Sequence, residues 1–283
     1  MPAGASAFGL PDLAGLIKEG ASRQRPPHHR RNALDNATLM PPSIDTPAAA
    51  RAIAFAREVA HLWDRELANE LLGFYLVGSL AHGGFGERYS DIDVALIAEK
   101  PLRADAIERV ARQAAAHSPK LAAKLSLFWA DEAFSAGRFR PLDRLDYLDH
   151  GVALLERRRV EPPRPSHAEV RAYLAGEPFQ SWTQQVSRFS ALEALTPDDH
   201  KRYLRAILYP ARFIYSWETG AMGSNDAAVK FLRGRADGLD LDLIARALDL
   251  RNRGVDPLPL FPERGKLTGL LDACRRLVAA HRG

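Results

Sequence analysis

The chain has 283 residues, 39 Lys and Arg against 35 Asp and Glu, a formal charge of +4 and 46% apolar residues, the composition of a globular chain with room for one large or two ordinary domains. No stretch approaches the ~18 consecutive apolar residues of a membrane span, the N-terminus does not read as a signal peptide, and the single cysteine, Cys274, excludes an internal disulfide framework and a cysteine-based zinc site. A cytoplasmic protein with no membrane partner is expected, and with the arginines scattered among acids rather than gathered in a stripe with aromatics, nucleic acid is not an implied partner.

Residues 1–45 are rich in Pro, Gly, Arg and His and read as a disordered tail. Within it the pair His28-His29 reads as part of a solvated basic linker rather than as a metal site. Thr46 followed by Pro47 is an N-cap with proline at the first helical position, and Phe55, Val59 and Leu62 recur at helical spacing behind it. From Gly73, FYLV is a short strand; a loop from Gly78 to Ser90 carries Gly78, Gly83, Gly84 and Gly86; DIDVALI is a second strand. ADAIERVARQAAAH reads as a helix stopped at Ser118-Pro119, and KLSLFWA, Lys124 to Ala130, as a third strand.

This is a small α/β unit, assigned to residues 46–160, and the prolines at 162 to 165 mark a hinge before a helical domain at 161–283. There, Thr196-Pro197-Asp198-Asp199 starts a helix that Pro210 should kink and Gly220 ends, Ser224 caps the next, and LDLDLIARALDL and KLTGLLDACRRLVAAH supply two more. The fold class expected is an α/β (α+β) domain with a small mixed sheet followed by an all-α bundle.

The chemistry concentrates in FYLVGSLAHGGFGERYSDIDVALI. On a strand, residues i and i+2 share a face, so Asp91 and Asp93 project together while Ile92 and Val94 project oppositely. At ~5 Å and an effective dielectric of ~20 their repulsion is roughly 3 kcal/mol, a sizeable fraction of a domain's stability. A divalent cation removes it, and hard oxygen ligands suit Mg²⁺, which takes one or two carboxylates and completes its shell with water and substrate phosphates. Gly78 lets a backbone amide approach an anion, and Ser79 can donate its hydroxyl to a phosphate oxygen. An isolated Asp-x-Asp is more often a solvated strand end, but preceded by Gly-Ser at this distance it arises by chance in only about one chain in a hundred. Phosphate beside a carboxylate-held metal is phosphoryl or nucleotidyl transfer chemistry.

VGSLAHGGFGERYSDIDVALI resembles the signature of the DNA polymerase beta superfamily of nucleotidyltransferases. The resemblance implies that Gly78 and Ser79 hold a nucleoside triphosphate, that Ser90 flanks the phosphates, and that Asp91 and Asp93 are the catalytic metal ligands for Mg²⁺. In the second half, YLRAILYPARFIYSWETGAMGSNDAAVKFL is similar to the helical domain of the aminoglycoside 3''-adenylyltransferases, the matching residues being Arg212, Tyr215, Ser216, Thr219 and Gly220. HGVALLER, residues 150–157, resembles the stretch joining the two domains of those enzymes. This second resemblance implies transfer of AMP from ATP to a hydroxyl of a small-molecule acceptor, with an aminoglycoside-like compound the first class to test. The alternatives are a nucleotide-binding module with little or no transfer, and a protein-nucleotidylating enzyme of the antitoxin type.

Two positions depart from the pattern. The family's third carboxylate, a metal ligand or base on a later strand, is replaced by Ser126, and Asp131 and Glu132 lie just past that strand, Asp131 with opposite parity to Ser126. Where the family has a phosphate-binding lysine at the cap of the later helix, this chain has Asn225. Of the remaining polar residues, His82 reads as a solvated loop histidine, Arg138, Arg140 and Arg144 as surface or ion-pair residues, and Asp143, Asp146 and Asp149 as helix surface. Trp129, Trp182 and Trp217 read as core.

Overall fold

The computed structural model describes residues 46–234 and 238–280; the expectations for residues 1–45, the His28-His29 pair among them, lie outside the described residues. Helix α1 spans Pro47–Leu67, and Thr46 Oγ1 accepts from the Ala49 backbone N–H at 3.1 Å, as the cap residue type requires. Strand β1 follows at Leu71–Leu76, then a single helical turn, α2, at Gly78–Ala81, β2 at Ile92–Ala98, α3 at Ala104–His117, a second short turn, α4, at Pro119–Ala122, and β3 at Leu125–Asp131. Helix α5, Pro141–His150, leads through Gly151 into β4, Val152–Glu156.

Among the described residues these strands form one sheet in the order β3-β2-β1-β4. β1 runs antiparallel to both β2 and β4, while β2 and β3 are parallel. Strand β4 is the element the sequence reading missed, taking it only as the stretch between domains. It is a five-residue edge strand with no fully buried position, too short and too mixed to give a clear alternation. On one face of the sheet Phe74, Leu76, Ile92, Val94 and Leu96 pack against Ile53, Phe55, Val59 and Trp63 of α1 and Val110 of α3. On the other, Tyr75, Ala95 and Ile97 meet Phe139 and Tyr147. Asp93 has the parity of Ala95 and Ile97, so it looks toward the α5 side, away from the main apolar layer.

The rest is helical: α6 at His167–Leu174, α7 at Glu177–Ala191, α8 at His200–Thr219, α9 at Asn225–Leu232, α10 at Leu241–Arg253 and α11 at Lys266–Ala280. Helix α8 is the hub, packing on α6, α7, α9, α10 and α11. It runs on through Pro210 as one element and stops at Gly220, which adopts the left-handed φ of 67° suited to a helix end. Trp182 and Trp217 are buried in this core, and Trp129 in the sheet's, as read from sequence. Ser224 caps α9, its Oγ accepting from Ala227 N–H at 3.0 Å. Ser224→Ala is expected to cost about 1 kcal/mol, a drop of roughly 2–4 °C in melting temperature for a chain of this size, read by thermal unfolding.

The helical core and the sheet meet along the segment leading into β2. Tyr89 Oη donates to the Val255 carbonyl at 2.9 Å, and its ring belongs to the helical core. Arg88 donates to the Gly254 carbonyl at 3.1 Å. No helix among the described residues is long and apolar enough to cross a membrane.

Candidate active site

A cleft of about 400 Å³ lies between the sheet and the helices, and Gly78, Ser79, Ser90, Asp91 and Asp93 all line it. The five residues singled out from the sequence are therefore brought to one place. Gly78 occupies the left-handed region at φ 63°, which lets the chain turn sharply from β1 into α2. A Cβ at Gly78 would lie 3.0 Å from Asp93 Cβ and Cγ and closer still to Asp93 Oδ2. The turn and the carboxylate are thus in direct contact, and only glycine fits between them. Ser79 Oγ is buried with no hydrogen-bond partner among the described residues, an unsatisfied donor beside the cleft. Ser90 is buried, and its Oγ accepts from Gly86 N–H and from Arg251 Nη2, each at 3.0 Å.

Asp91 immediately precedes β2 and its carboxylate is paired with the ammonium of Lys201 on α8. Asp93 has no such partner among the described residues. Burial chiefly, then the like charges of Asp91 and Asp146, push its carboxyl up to about 6. The repulsion anticipated for two carboxylates on one patch thus contributes, after burial, to the shift at Asp93.

Arg205 and Arg212 lie seven residues apart on α8, two turns along one face, and both line the cleft. Neither has a carboxylate within ion-pair distance among the described residues, and Arg212 donates only to Met222 Sδ, at 3.7 Å. Burial, then the neighbouring Arg205, pull Arg212 below the ordinary arginine value. With Lys201 and Arg251, this wall of the cleft presents cations opposite the carboxylates. Asn225 also lines the cleft, whereas Lys230 on the same helix does not. Of these cations the sequence reading had matched Arg212 to a motif; Lys201, Arg205 and Arg251 escaped it, since a basic residue on an amphipathic helix gives no sign of facing a cleft.

The register of the parallel pair sets Ser126 directly beside Asp93. Neither acid at the end of that strand compensates; Asp131, expected just past it, is its last residue. Asp131 is buried and turned into its own loop, accepting from Ser135 N–H at 2.6 Å, Ser135 Oγ at 2.6 Å and Ala136 N–H at 3.0 Å. Glu132 pairs with Arg158 at 2.8 Å on the surface.

The carboxylate that does reach the cleft comes from α5. Asp146, read from sequence as helix surface, is buried. Its Oδ2 accepts from the Gly78 backbone N–H at 2.8 Å and its Oδ1 bonds His82 Nε2 at 2.6 Å. His82, read as a solvated loop residue, is likewise almost fully enclosed, and its ring lies 4.2 Å from that of His150. Both expectations fail for one reason: α5 lies across the Gly78–Ala81 turn, so a polar residue on its inner face meets backbone donors instead of water. Asp143 is on the same helix; burial pushes it up to about 6 although Arg140 N–H donates to it at 2.9 Å. Asp149 alone follows expectation, pairing with Arg164 near the surface. Arg138 lines the cleft over the Phe128 ring, 5.4 Å to its centroid, while Arg140 pairs with Glu177 at 3.2 Å and Arg144 donates to the Phe139 carbonyl at 3.1 Å.

Among the described residues no three His, Cys, Asp or Glu side chains cluster as a self-sufficient metal cage. Asp91 and Asp93 both line the cleft, and one or two carboxylates are what a Mg²⁺ site completed by substrate phosphates would need from the protein.

No protein-family model matches this chain, and no curated protein does. Solved structures do. The spectinomycin adenyltransferase AAD(9) from Enterococcus faecialis, solved with ATP and spectinomycin, aligns over 80% of this chain and 99% of its own at 14% identity, with a TM-score of 0.60. A toxin-antitoxin structure with AMP-PNP aligns over 35% of this chain and 73% of its own at 23% identity, with a TM-score of 0.27. The long alignment establishes architecture, not activity: this chain, a small mixed sheet with a helical second half, has the fold of the spectinomycin adenyltransferase.

Proposed function

We propose that this protein is a nucleotidyltransferase that moves AMP from ATP to a hydroxyl of a small-molecule acceptor in the cleft between its sheet domain, residues 46–160, and its helical domain, residues 161–283. The observation that carries the reading is the contact between Gly78 and Asp93, which brings the Gly78-Ser79 turn and a buried carboxylate together at one point of the cleft. Gly78 and Ser79 orient the triphosphate, with the unsatisfied Ser79 hydroxyl as donor and Ser90 beside the phosphates. Arg205 and Arg212 balance the phosphate charge from α8, in a partly enclosed site where such pairing is stronger than in water. Asp91 and Asp93 would hold Mg²⁺, which when bound supplies neutralisation of the triphosphate. Lys201 must then exchange its hold on Asp91 for a phosphate oxygen, and it is placed to do so from the same helix face as Arg205. The likeness to an enzyme solved with ATP and spectinomycin supports ATP and a small hydroxyl-bearing acceptor, and makes aminoglycoside-like compounds the first class to assay.

The deciding experiment is transfer of α-labelled phosphate from ATP to a panel of aminoglycosides and other polyhydroxylated compounds, comparing wild type with Asp91→Ala/Asp93→Ala. Label appearing on an acceptor with wild type alone supports the proposal. A wild type that binds Mg-ATP and labels nothing supports a nucleotide-binding module instead, the reading that Ser126 beside Asp93 favours; label on a protein band in lysate supports the protein-modifying alternative. A separate measurement addresses the cationic wall: Arg212→Met is expected to weaken ATP binding by about tenfold, the loss of one charge-assisted contact, as read by titration calorimetry.

A further inference from the structure

In this fold a hydroxyl acceptor must lose a proton as it attacks, and the strand position beside Asp93 offers only Ser126, which cannot serve as base. The cleft contains another group suited to the task. His82 follows the Gly78-Ser79 turn by one helical turn, its backbone N–H donating to the Gly78 carbonyl at 3.0 Å, and it lines the same cleft as Asp91 and Asp93. Its Nε2 faces Asp146 Oδ1 at 2.6 Å. A carboxylate only accepts, so Nε2 carries the hydrogen and the lone pair of the neutral ring lies on Nδ1. Among the described residues Nδ1 has no hydrogen-bond partner. The ring is clamped by Asp146 at one edge and by the His150 ring, itself bonded through Nε2 to the Met222 carbonyl at 3.2 Å, along its face.

We propose that His82, oriented by Asp146, is the general base of the transfer, in place of the carboxylate missing at Ser126; this rests on the nucleotidyl-transfer reading of the cleft. The acceptor O–H proton passes to His82 Nδ1, the acceptor oxygen bonds the α-phosphorus of ATP, and the bond from that phosphorus to the bridging oxygen breaks, pyrophosphate leaving with the electron pair. Asp146 stabilises the imidazolium that results and, through its second oxygen, fixes the Gly78 turn, so base and phosphate site are positioned by one carboxylate.

The test uses the full chain and the acceptor labelled in the transfer assay. ¹⁵N spectra of histidine-labelled protein, with the His82 signals assigned from their loss in His82→Gln, should show the Nε2–H tautomer without any nucleotide bound. His82→Gln keeps a donor toward Asp146 but no basic nitrogen; kcat is expected to fall about 100-fold or more with ATP affinity within about threefold of wild type, and imidazole should restore part of the activity of His82→Ala. Asp146→Asn can keep both hydrogen bonds by accepting from Gly78 and donating to Nε2, which moves the ring hydrogen to Nδ1. It should therefore lower kcat with little change in melting temperature and switch the tautomer, an effect a purely structural role would not produce. Wild-type kcat in His82→Gln, or an Nδ1–H tautomer in wild type, overturns the base assignment alone. A wild type that labels no acceptor overturns it together with the transfer reading, so the two failures are told apart.

Discussion

Asp93→Asn protein will melt a few degrees higher than wild type near neutral pH and will transfer no measurable AMP. The two halves of that result have one cause. The Asp93 carboxyl is pushed from its ordinary value of 3.8 up to about 6 by burial and by the negative charges of Asp91 and Asp146. The folded state therefore binds this proton more tightly than the unfolded chain does. Its contribution favours folding fully below about pH 4 and is lost as the pH rises through about 6, so at pH 7 the ionised carboxylate opposes the fold. A shift of that size, with the lowering by Arg205 and Arg212 already in it, corresponds to roughly 3 kcal/mol at most; because the asparagine amide is itself a polar group buried at the same place, about 1–2 kcal/mol is expected back on substitution. The stability gain should be absent at pH 4, where wild-type Asp93 is already protonated, and thermal unfolding of both proteins across this range checks it. Activity is the opposite matter: removing the charge proposed to receive the cation should cost at least about 100-fold in transfer rate. Mg-ATP should also raise the melting temperature of wild type more than that of the variant, since the variant lacks one of the two carboxylates proposed to hold the metal. Equal melting curves at pH 7 would mean that the cluster is already neutralised in the free protein.

The strands and helices that depend on local pattern were legible in the sequence. Thr46-Pro47, Gly220 and Ser224 act at helix ends where their side chains or conformations demand it, and the alternation in DIDVALI sends Ile92 and Val94 into the apolar layer and Asp93 away from it. The site was legible where its residues are contiguous, at Gly78-Ser79 and Asp91-x-Asp93. It was illegible where a residue gains its role from a distant element. Asp146 is 68 positions from the Gly78 amide it accepts from, and Lys201 is 110 from Asp91; no local periodicity encodes such a meeting. One faint signal existed. Leu145 and Tyr147, both fully buried, lie ~200° apart around α5, and the arc between them passes through Asp146. Two apolar flanks alone leave open which arc is buried; here it is the one that holds the acid, which a reading of Asp143, Asp146 and Asp149 as one charged stripe overlooks.

The second large effect is expected at Gly78→Ala, which tests the contact on which the site is built. Alanine in the left-handed region costs about 1–2 kcal/mol, and at φ 63° no local relaxation removes that cost while β1 stays paired on one side and α2 on the other. Its methyl group would also meet Asp93 Cβ and Cγ at 3.0 Å and Oδ2 more closely, adding roughly 1–3 kcal/mol of overpacking unless the carboxylate swings away. A total loss of about 2–5 kcal/mol is expected, measurable by denaturant unfolding. If Asp93 moves instead, stability is partly recovered but the carboxylate leaves the patch it shares with Asp91, so transfer should still fall by about 100-fold or more. The paired variant Gly78→Ala/Asp93→Ala, which removes the Asp93 Cγ and Oδ2 that the methyl would meet, separates the two contributions. Backbone strain persists whatever stands at position 93, whereas the steric and charge terms depend on it. A double-mutant cycle should therefore show a coupling of about 0.5–3 kcal/mol between the two positions. Strict additivity would show that turn and carboxylate act independently, and that the cleft is not organised around their contact.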